Sequence, residues 1–226
     1  MPLLTSPLPL TLIVAATAKN GIGRNGTLPW PALKQEMAYF ARVTRRSPSQ
    51  ASSSSSAEPQ NAVVMGRKTW ESIPSKFRPL KGRTNVVLTR QAGHQRTSIL
   101  AELDEAKRKH VLLAGDLREG LRMLQLADNG THAVPPVGKV FVIGGNSVYA
   151  AALQLPQTKR VLLTRIHKEF DCDTFFPVDI EGEEGREAGW VRKRREDLGL
   201  FVGEEVAEGR VEEGGVEYEF LMYERD

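Results

Sequence analysis

Apolar runs of three to seven residues recur along the chain, each closed by glycine, proline or a polar cluster. Residues 10–15, 62–65, 85–88, 111–113, 140–143 and 160–166 are rich in β-branched side chains and read as strands. Most are continuously apolar and do not alternate, the mark of strands covered on both faces. Helical spacing follows several of them, at 117–127 and 147–153 for example, so the pattern predicts an α/β fold whose mainly parallel sheet carries helices on both faces. Toward the C-terminus the character changes. Segments 200–206 and 216–223 are strand-like, and Val216, Tyr218, Phe220 and Met222 alternate in the second, which predicts an antiparallel hairpin on the sheet edge.

Two stretches break the rhythm. Residues 47–60 hold an unbroken run from Ser52 to Ser56 between Pro48 and Pro59, a flexible surface insertion within one domain spanning 1–226. Residues 91–110 are polar and basic and belong to the periphery. At the other end, 10–18 finishes in Ala16-Thr17-Ala18 and so mimics a signal-peptide cleavage site. No Lys or Arg precedes it and Pro7 and Pro9 interrupt the approach, so it reads as the first core strand.

Composition narrows the function classes. At 40% hydrophobic and 26% charged residues, 226 residues can bury one core of ordinary globular kind. Lys and Arg exceed Asp and Glu by 31 to 28, too small an excess for a nucleic-acid partner, and the run Arg192 to Arg195 is bracketed by acids and reads as a solvated face. No apolar run approaches the roughly 18 residues of a membrane span. A single cysteine, Cys172, excludes an internal disulfide and points to a reducing, cytoplasmic setting, while four scattered histidines give no metal-ligand spacing. No surface stripe asks for a partner, so a monomer is expected.

Three strand ends carry chemistry. The strand at 140–143 runs into Gly144-Gly145 and then Asn146, Ser147 and Val148 at a helix start, where glycine permits close approach and free N–H groups attract phosphate. A plain turn is the other reading. The strand at 62–65 ends in Gly66-Arg67-Lys68-Thr69, with two cations at a helix N-terminus whose dipole opposes them, so either an anion lies between or these are solvated surface cations. The strand at 85–88 ends in Leu88, Thr89 and Arg90. Ligands of open α/β sheets lie outside such carboxyl ends, and this cation-rich set suits the extra phosphate of NADP better than the free ribose hydroxyl of NAD.

A fourth element concerns a carboxylate. The glycine-rich loop 21–30 leads to Pro31, suited to the first turn of a helix running to Val43, on which Leu33, Glu36, Met37 and Phe40 share one face. Glu36 thus interrupts an apolar stripe, where a carboxylate is rare unless paired or functional. It is either a functional group or a marginal residue that snorkels to water or pairs with Arg83 or Lys81, and the spacing leaves both readings open.

Taken together, 21–30, 65–70, Ser72-Ile73-Pro74, 78–83, 143–149 and 173–177 closely resemble dihydrofolate reductases of eukaryotic type, with a fungal cast. The likeness covers most of 10–178 and, more loosely, the C-terminal hairpin. It implies an eight-stranded, mixed but mainly parallel sheet and the NADPH-dependent reduction of 7,8-dihydrofolate to tetrahydrofolate, with antifolates as expected inhibitors. It also implies roles. Glu36 would bind the pteridine and steer a proton to N5, with Thr164 behind the carboxylate and Trp30 beside the proton's path, and Tyr149 would close the site. Ile13, Val14, Ala15, Leu28, Met37, Phe40, Ile73, Phe77, Leu80 and Ile143 would surround the substrate, and Arg83 would hold its α-carboxylate. Ala15, Ile22, Gly23, Asn25, Gly26, Thr27, Gly66, Arg67, Lys68, Thr69, Leu88, Thr89, Arg90, Gly144, Gly145, Asn146, Ser147, Val148 and Tyr149 would contact the cofactor.

The sequence departs from the family at Met37, where vertebrate members carry an aromatic residue, at Phe77, in place of a polar one, and in longer stretches at 47–60 and 91–110. Two rivals remain on the residues alone. A riboflavin-pathway NADPH reductase would share the fold but would not need Glu36 together with Arg83. A catalytically silent dinucleotide- or RNA-binding regulator would not need Trp30, Glu36 and Thr164 intact.

Overall fold

The apolar runs become neighbouring strands of one sheet in the computed structural model, which describes residues 7–47, 58–90, 94–128 and 134–226. Along the chain come β1 (Leu10–Thr17), β2 (Gly21–Gly23), α1 (Lys34–Arg45), β3 (Gln60–Gly66), α2 (Arg67–Ser72) and β4 (Thr84–Leu88). Then follow α3 (His94–Ala101), α4 (Glu105–Arg108), β5 (Val111–Ala114), α5 (Leu117–Asp128), β6 (Val137–Val142), α6 (Asn146–Leu153) and β7 (Thr158–Ile166). The last third adds β8 (Thr174–Phe175), α7 (Glu183–Glu187), β9 (Val191–Arg192), α8 (Arg195–Val202), β10 (Val211–Glu213) and β11 (Val216–Glu224).

Eight strands lie in the order β10-β11-β7-β1-β6-β3-β4-β5, and the two-residue β9 pairs with β11. From β7 to β5 every pairing is parallel, and only β11, β10 and β9 run against their neighbours. The sheet is therefore mixed and mainly parallel, as expected. β2 and β8 form a separate antiparallel ribbon.

Strand alternation sorts the core into two layers. Leu10, Leu12, Val14 and Ala16 of β1 pack with Leu117, Leu121 and Leu124 of α5 and Val148 and Ala152 of α6. Ile13 faces the other way, with Tyr39 and Val43 of α1, Trp70 of α2 and Leu198 and Val202 of α8. Trp70, Phe141 and Leu162 are fully buried in that second layer, at about 1.5–3 kcal/mol each from area removed from water. This is what clamps α1 and α2 over the strand ends.

The structure corrects three boundaries. Pro31 lies outside α1, which starts at Lys34 after an extended Leu33. Residues 200–206 are no strand: α8 starts where the Asp197 carboxylate accepts from the Arg194 N–H at 3.3 Å and from its guanidinium, and Gly203, in the left-handed region at φ 74°, ends it. The hairpin partner of β11 is instead β10, turned through Gly214 and Gly215, both at positive φ. The serine run Ser52–Ser56 lies outside the described residues. The basic run at 192–195 meets carboxylates of Glu219, Glu224 and Asp197, in keeping with a solvated face.

Candidate active site

Glu36 sits in the first turn of α1, over the face of β1 and β7 that carries Ala15 and Thr164, which are register partners. Its residue surface is 9% exposed. Neither Arg83 nor Lys81 pairs with it; the Thr164 hydroxyl donates to its Oε1 at 3.3 Å, and among the described residues no cation neutralises it. Burial pushes its pKa up to about 7, which the Thr164 hydrogen bond opposes and the negative charge of Glu213 reinforces. A carboxyl that is half protonated near neutrality can both hold a donor edge and release a proton.

What seats this helix was not visible in the sequence. α1 has no side-chain cap of its own; the carboxylate of Glu213, from β10, accepts from the N–H of Lys34 at 2.6 Å and of Gln35 at 3.0 Å, and the Tyr218 hydroxyl donates to it at 3.2 Å. A distant acid thus supplies the anion that a helix N-terminus favours.

The apolar stripe differs from expectation. On α1 the buried positions are Glu36, Tyr39, Val43 and Thr44, while Met37 is 48% exposed and Phe40 half-buried. Leu28 and Phe77 are likewise about half exposed, so three large apolar side chains stand at the surface, and Ile73 and Leu80 are partly buried against the α1 layer. Val14 points into the opposite layer and can meet a ligand only through its backbone. Trp30 is buried with Leu33, Ile166 and Tyr218, with Ala15 packed against the cluster, and lies edge-on to Phe170 at 6.0 Å.

Arg83 is buried, yet its partners among the described residues are neutral: Nη1 donates to Thr44 Oγ1 at 2.7 Å and Nε to the Lys81 carbonyl at 3.1 Å. Burial, and then the charge of Arg45, bring it down to about 10. Such a guanidinium is a receptor for a carboxylate.

The three glycine- and cation-bearing strand ends do converge, because β6, β3 and β4 are adjacent in the sheet. The Gly66 N–H donates to the Gly144 carbonyl at 2.8 Å, and the Gly144-Gly145 peptide is cis. A Cβ on Gly66 would stand 3.3 Å from Val148 Cγ2 and one on Gly145 3.4 Å from Thr69 Oγ1, so side chains would crowd this cradle. α6 starts at Asn146 with no side-chain cap; the Val148 and Tyr149 N–H groups donate to the Gly145 carbonyl at 2.9 and 3.0 Å, which leaves the amides before them to a ligand. The residues present fit a dinucleotide pyrophosphate. Lys68 and Arg90 are exposed, Thr69 is partly exposed and Thr89 buried. Arg67, read as facing an anion or as a solvated surface cation, pairs with Glu71, one turn on, at 2.7 Å, so this acid answers part of the helix-start charge.

The loop beyond β1 is tied to the same rim. Arg24 and Thr27 bridge around Asn25 and Gly26, and Asp173 accepts from the Asn25 N–H at 2.7 Å while its own N–H reaches the Gly23 carbonyl at 3.0 Å. Arg24 pairs with Asp171, and the Asn146 amide donates to the Phe175 carbonyl at 2.5 Å. Segment 171–176 is therefore a strap joining Ile22, Gly23 and their neighbours to the start of α6. On the far side the Tyr149 hydroxyl donates to the Ile13 carbonyl at 2.7 Å.

A glycine cradle over parallel strand ends, beside a buried carboxyl with a raised pKa, defines an α/β reductase of the dinucleotide-dependent class. The sequence profile described as Dihydrofolate reductase matches residues 9–196. Proteins named dihydrofolate reductase from Pneumocystis carinii and Mus musculus are 42% and 39% identical over 96% of this chain and 97% of theirs. The one from Schizosaccharomyces pombe is 40% identical over 96% of this chain and 47% of its own length. The solved dihydrofolate reductase of Schistosoma mansoni superposes with a TM-score of 0.70 at 30% identity, covering 98% of this chain and all of that one. The chain belongs to the dihydrofolate reductase family. It is an NADPH-dependent oxidoreductase whose reaction is the reduction of dihydrofolate to tetrahydrofolate, which decides between the three readings the residues had left.

Proposed function

We propose that Glu36 is the residue on which this reduction turns: its carboxyl binds the 2-amino group and N3 of the pteridine and is the source of the proton that N5 takes up. The observation that carries this is a carboxyl buried to 9% exposure, without a cation among the described residues, whose pKa stands at about 7. The Thr164 hydroxyl orients it, and the proton travels by water beside Trp30. NADPH, when bound, supplies the hydride to the adjacent ring carbon.

The remaining roles follow from position. Tyr149 fixes the Ile13 carbonyl with one hydrogen bond, leaving its second lone pair, with the Ile143 carbonyl, for the amino edge of the ring. Met37, Phe40, Ile73, Phe77, Leu80 and Leu28 give the aromatic parts an apolar wall. Arg83 clamps the α-carboxylate of the glutamate. Antifolates would take the same carboxyl pocket. The reading also takes the chain to be a single domain working as a cytoplasmic monomer, supported by one unpaired cysteine and by the assignment of Leu28, Met37 and Phe77 to the substrate instead of a partner.

The test is the loss of NADPH absorbance on adding dihydrofolate. Glu36→Gln should lower kcat at pH 7 by at least about a hundredfold, the range of a lost general acid. Turnover like that of the wild type would remove Glu36 from the centre of the reaction.

A further inference from the structure

Three arginines crowd the C-terminal end of α1, and they do not have equal partners. Arg42 and Arg46 both pair with Glu204, at 2.9 and 3.0 Å. Arg45, the last residue of the helix, is exposed and has no acidic partner among the described residues. Its stem lies across the turn that follows Lys81: a Cβ built on Gly82 would stand 3.1 Å from both Cγ and Cδ of Arg45. Gly82 also sits at φ 71°, so glycine is required there by the backbone and by the arginine lying on it. The next residue is Arg83, buried and held by Thr44 and the Lys81 carbonyl.

Arg45 thus lies along the turn that leads into Arg83, and its charge is near enough to be felt there, so one exposed and one buried guanidinium serve the same corner, with no carboxylate on either among the described residues. Like charges at such a distance repel, and a buried cation with neutral partners is incomplete. A ligand with two negative groups on a short flexible stem would complete both. The glutamate of dihydrofolate is such a stem, with an α-carboxylate and, two methylenes away, a γ-carboxylate.

We propose that Arg45 is a second carboxylate subsite, which takes the γ-carboxylate of the substrate's glutamate while Arg83 holds the α-carboxylate. The inference rests on the assignment of Arg83. Because Arg45 is exposed, its contribution is small and screened by salt, about two- to fivefold in affinity.

The experiment compares kcat/KM for dihydropteroylglutamate with that for dihydropteroylglutamine, whose γ-carboxylate is an amide and whose α-carboxylate is intact. At low ionic strength the wild type should prefer the glutamate by about two- to fivefold, and the preference should shrink as salt is added. Arg45→Gln should bring the ratio close to one, chiefly through a lower kcat/KM for the glutamate compound. Arg122→Gln, which removes the same charge from α5, should keep the wild-type ratio. No preference in the wild type, or a ratio that survives Arg45→Gln, would overturn the subsite. Arg83→Leu separates the two assignments: an equal fall for both compounds supports the clamp beneath the proposal, and no fall for either would overturn the clamp and the proposal's pairing with it.

Discussion

A carboxyl held in a buried position must weaken the fold once it ionises. Glu36 has an ordinary pKa of 4.5 when unfolded and about 7 when folded, so the folded state binds the extra proton between those values. The sign follows from linkage: its contribution is fully present below pH 4.5, falls as pH rises and is lost above about 7, and the gap is worth on the order of 3 kcal/mol. Chemical denaturation across this range should show the wild type losing stability relative to Glu36→Gln, with the curves parallel below pH 4 and again above pH 8. Curves parallel throughout would mean that Glu36 is no more protonated in the folded protein than in the unfolded chain. The same carboxyl shows how far sequence reasoning reaches at this scale. Its place on an apolar helix face was legible at spacings of three and four, whereas its freedom from Arg83 was not, because Thr44 and the Lys81 carbonyl hold that guanidinium elsewhere.

Helix α1 is positioned by an element far away in sequence. Its first amides are capped by Glu213 of β10, and that same negative charge raises the pKa of Glu36. Glu213→Gln should therefore do two things. It should cost about 0.5–2 kcal/mol through the weakened cap, and it should move the alkaline limb of the kcat/KM profile to lower pH because the Glu36 carboxylate loses a repulsive neighbour. Unfolding and pH–rate curves on the same variant check both, and a limb that stays in place would reduce Glu213 to a structural cap. The hairpin, which looks like an edge ornament in the sequence, is thus coupled to Glu36. Its first arm was misread because Leu200, Phe201 and Val202 have strand-like side chains, while the caps that make them helical are Arg194, Asp197 and Gly203.

At the scale of the molecule the strand order decides which strand ends meet. β6, β3 and β4 are neighbours, so Gly144, Gly66 and Thr89 form one rim although the chain visits them far apart. The cations on that rim predict a preference for NADPH over NADH. NADPH at a hundredfold excess over its Kd should stabilise the protein by about 2.7 kcal/mol, a Tm rise of several degrees, and NADH at the same concentration should do markedly less. Equal shifts would count against Arg67 and Arg90, of which Arg67 must first give up its pair with Glu71.

The sequence by itself determined the strands, the glycine turns at their ends and the oddity of an acid among apolar neighbours, because each depends on residues close together in the chain. Apolar runs fix which segments must be covered on both faces, and glycine fixes where a backbone can turn and be approached. Only the tertiary structure decided that Glu213 caps α1, that segment 171–176 straps the loop after β1 to α6, that Thr44 holds Arg83 and that Arg45 meets no acid among the described residues. Those are contacts between side chains on different elements, and no local pattern records which distant residue will fill a given space or answer a given charge.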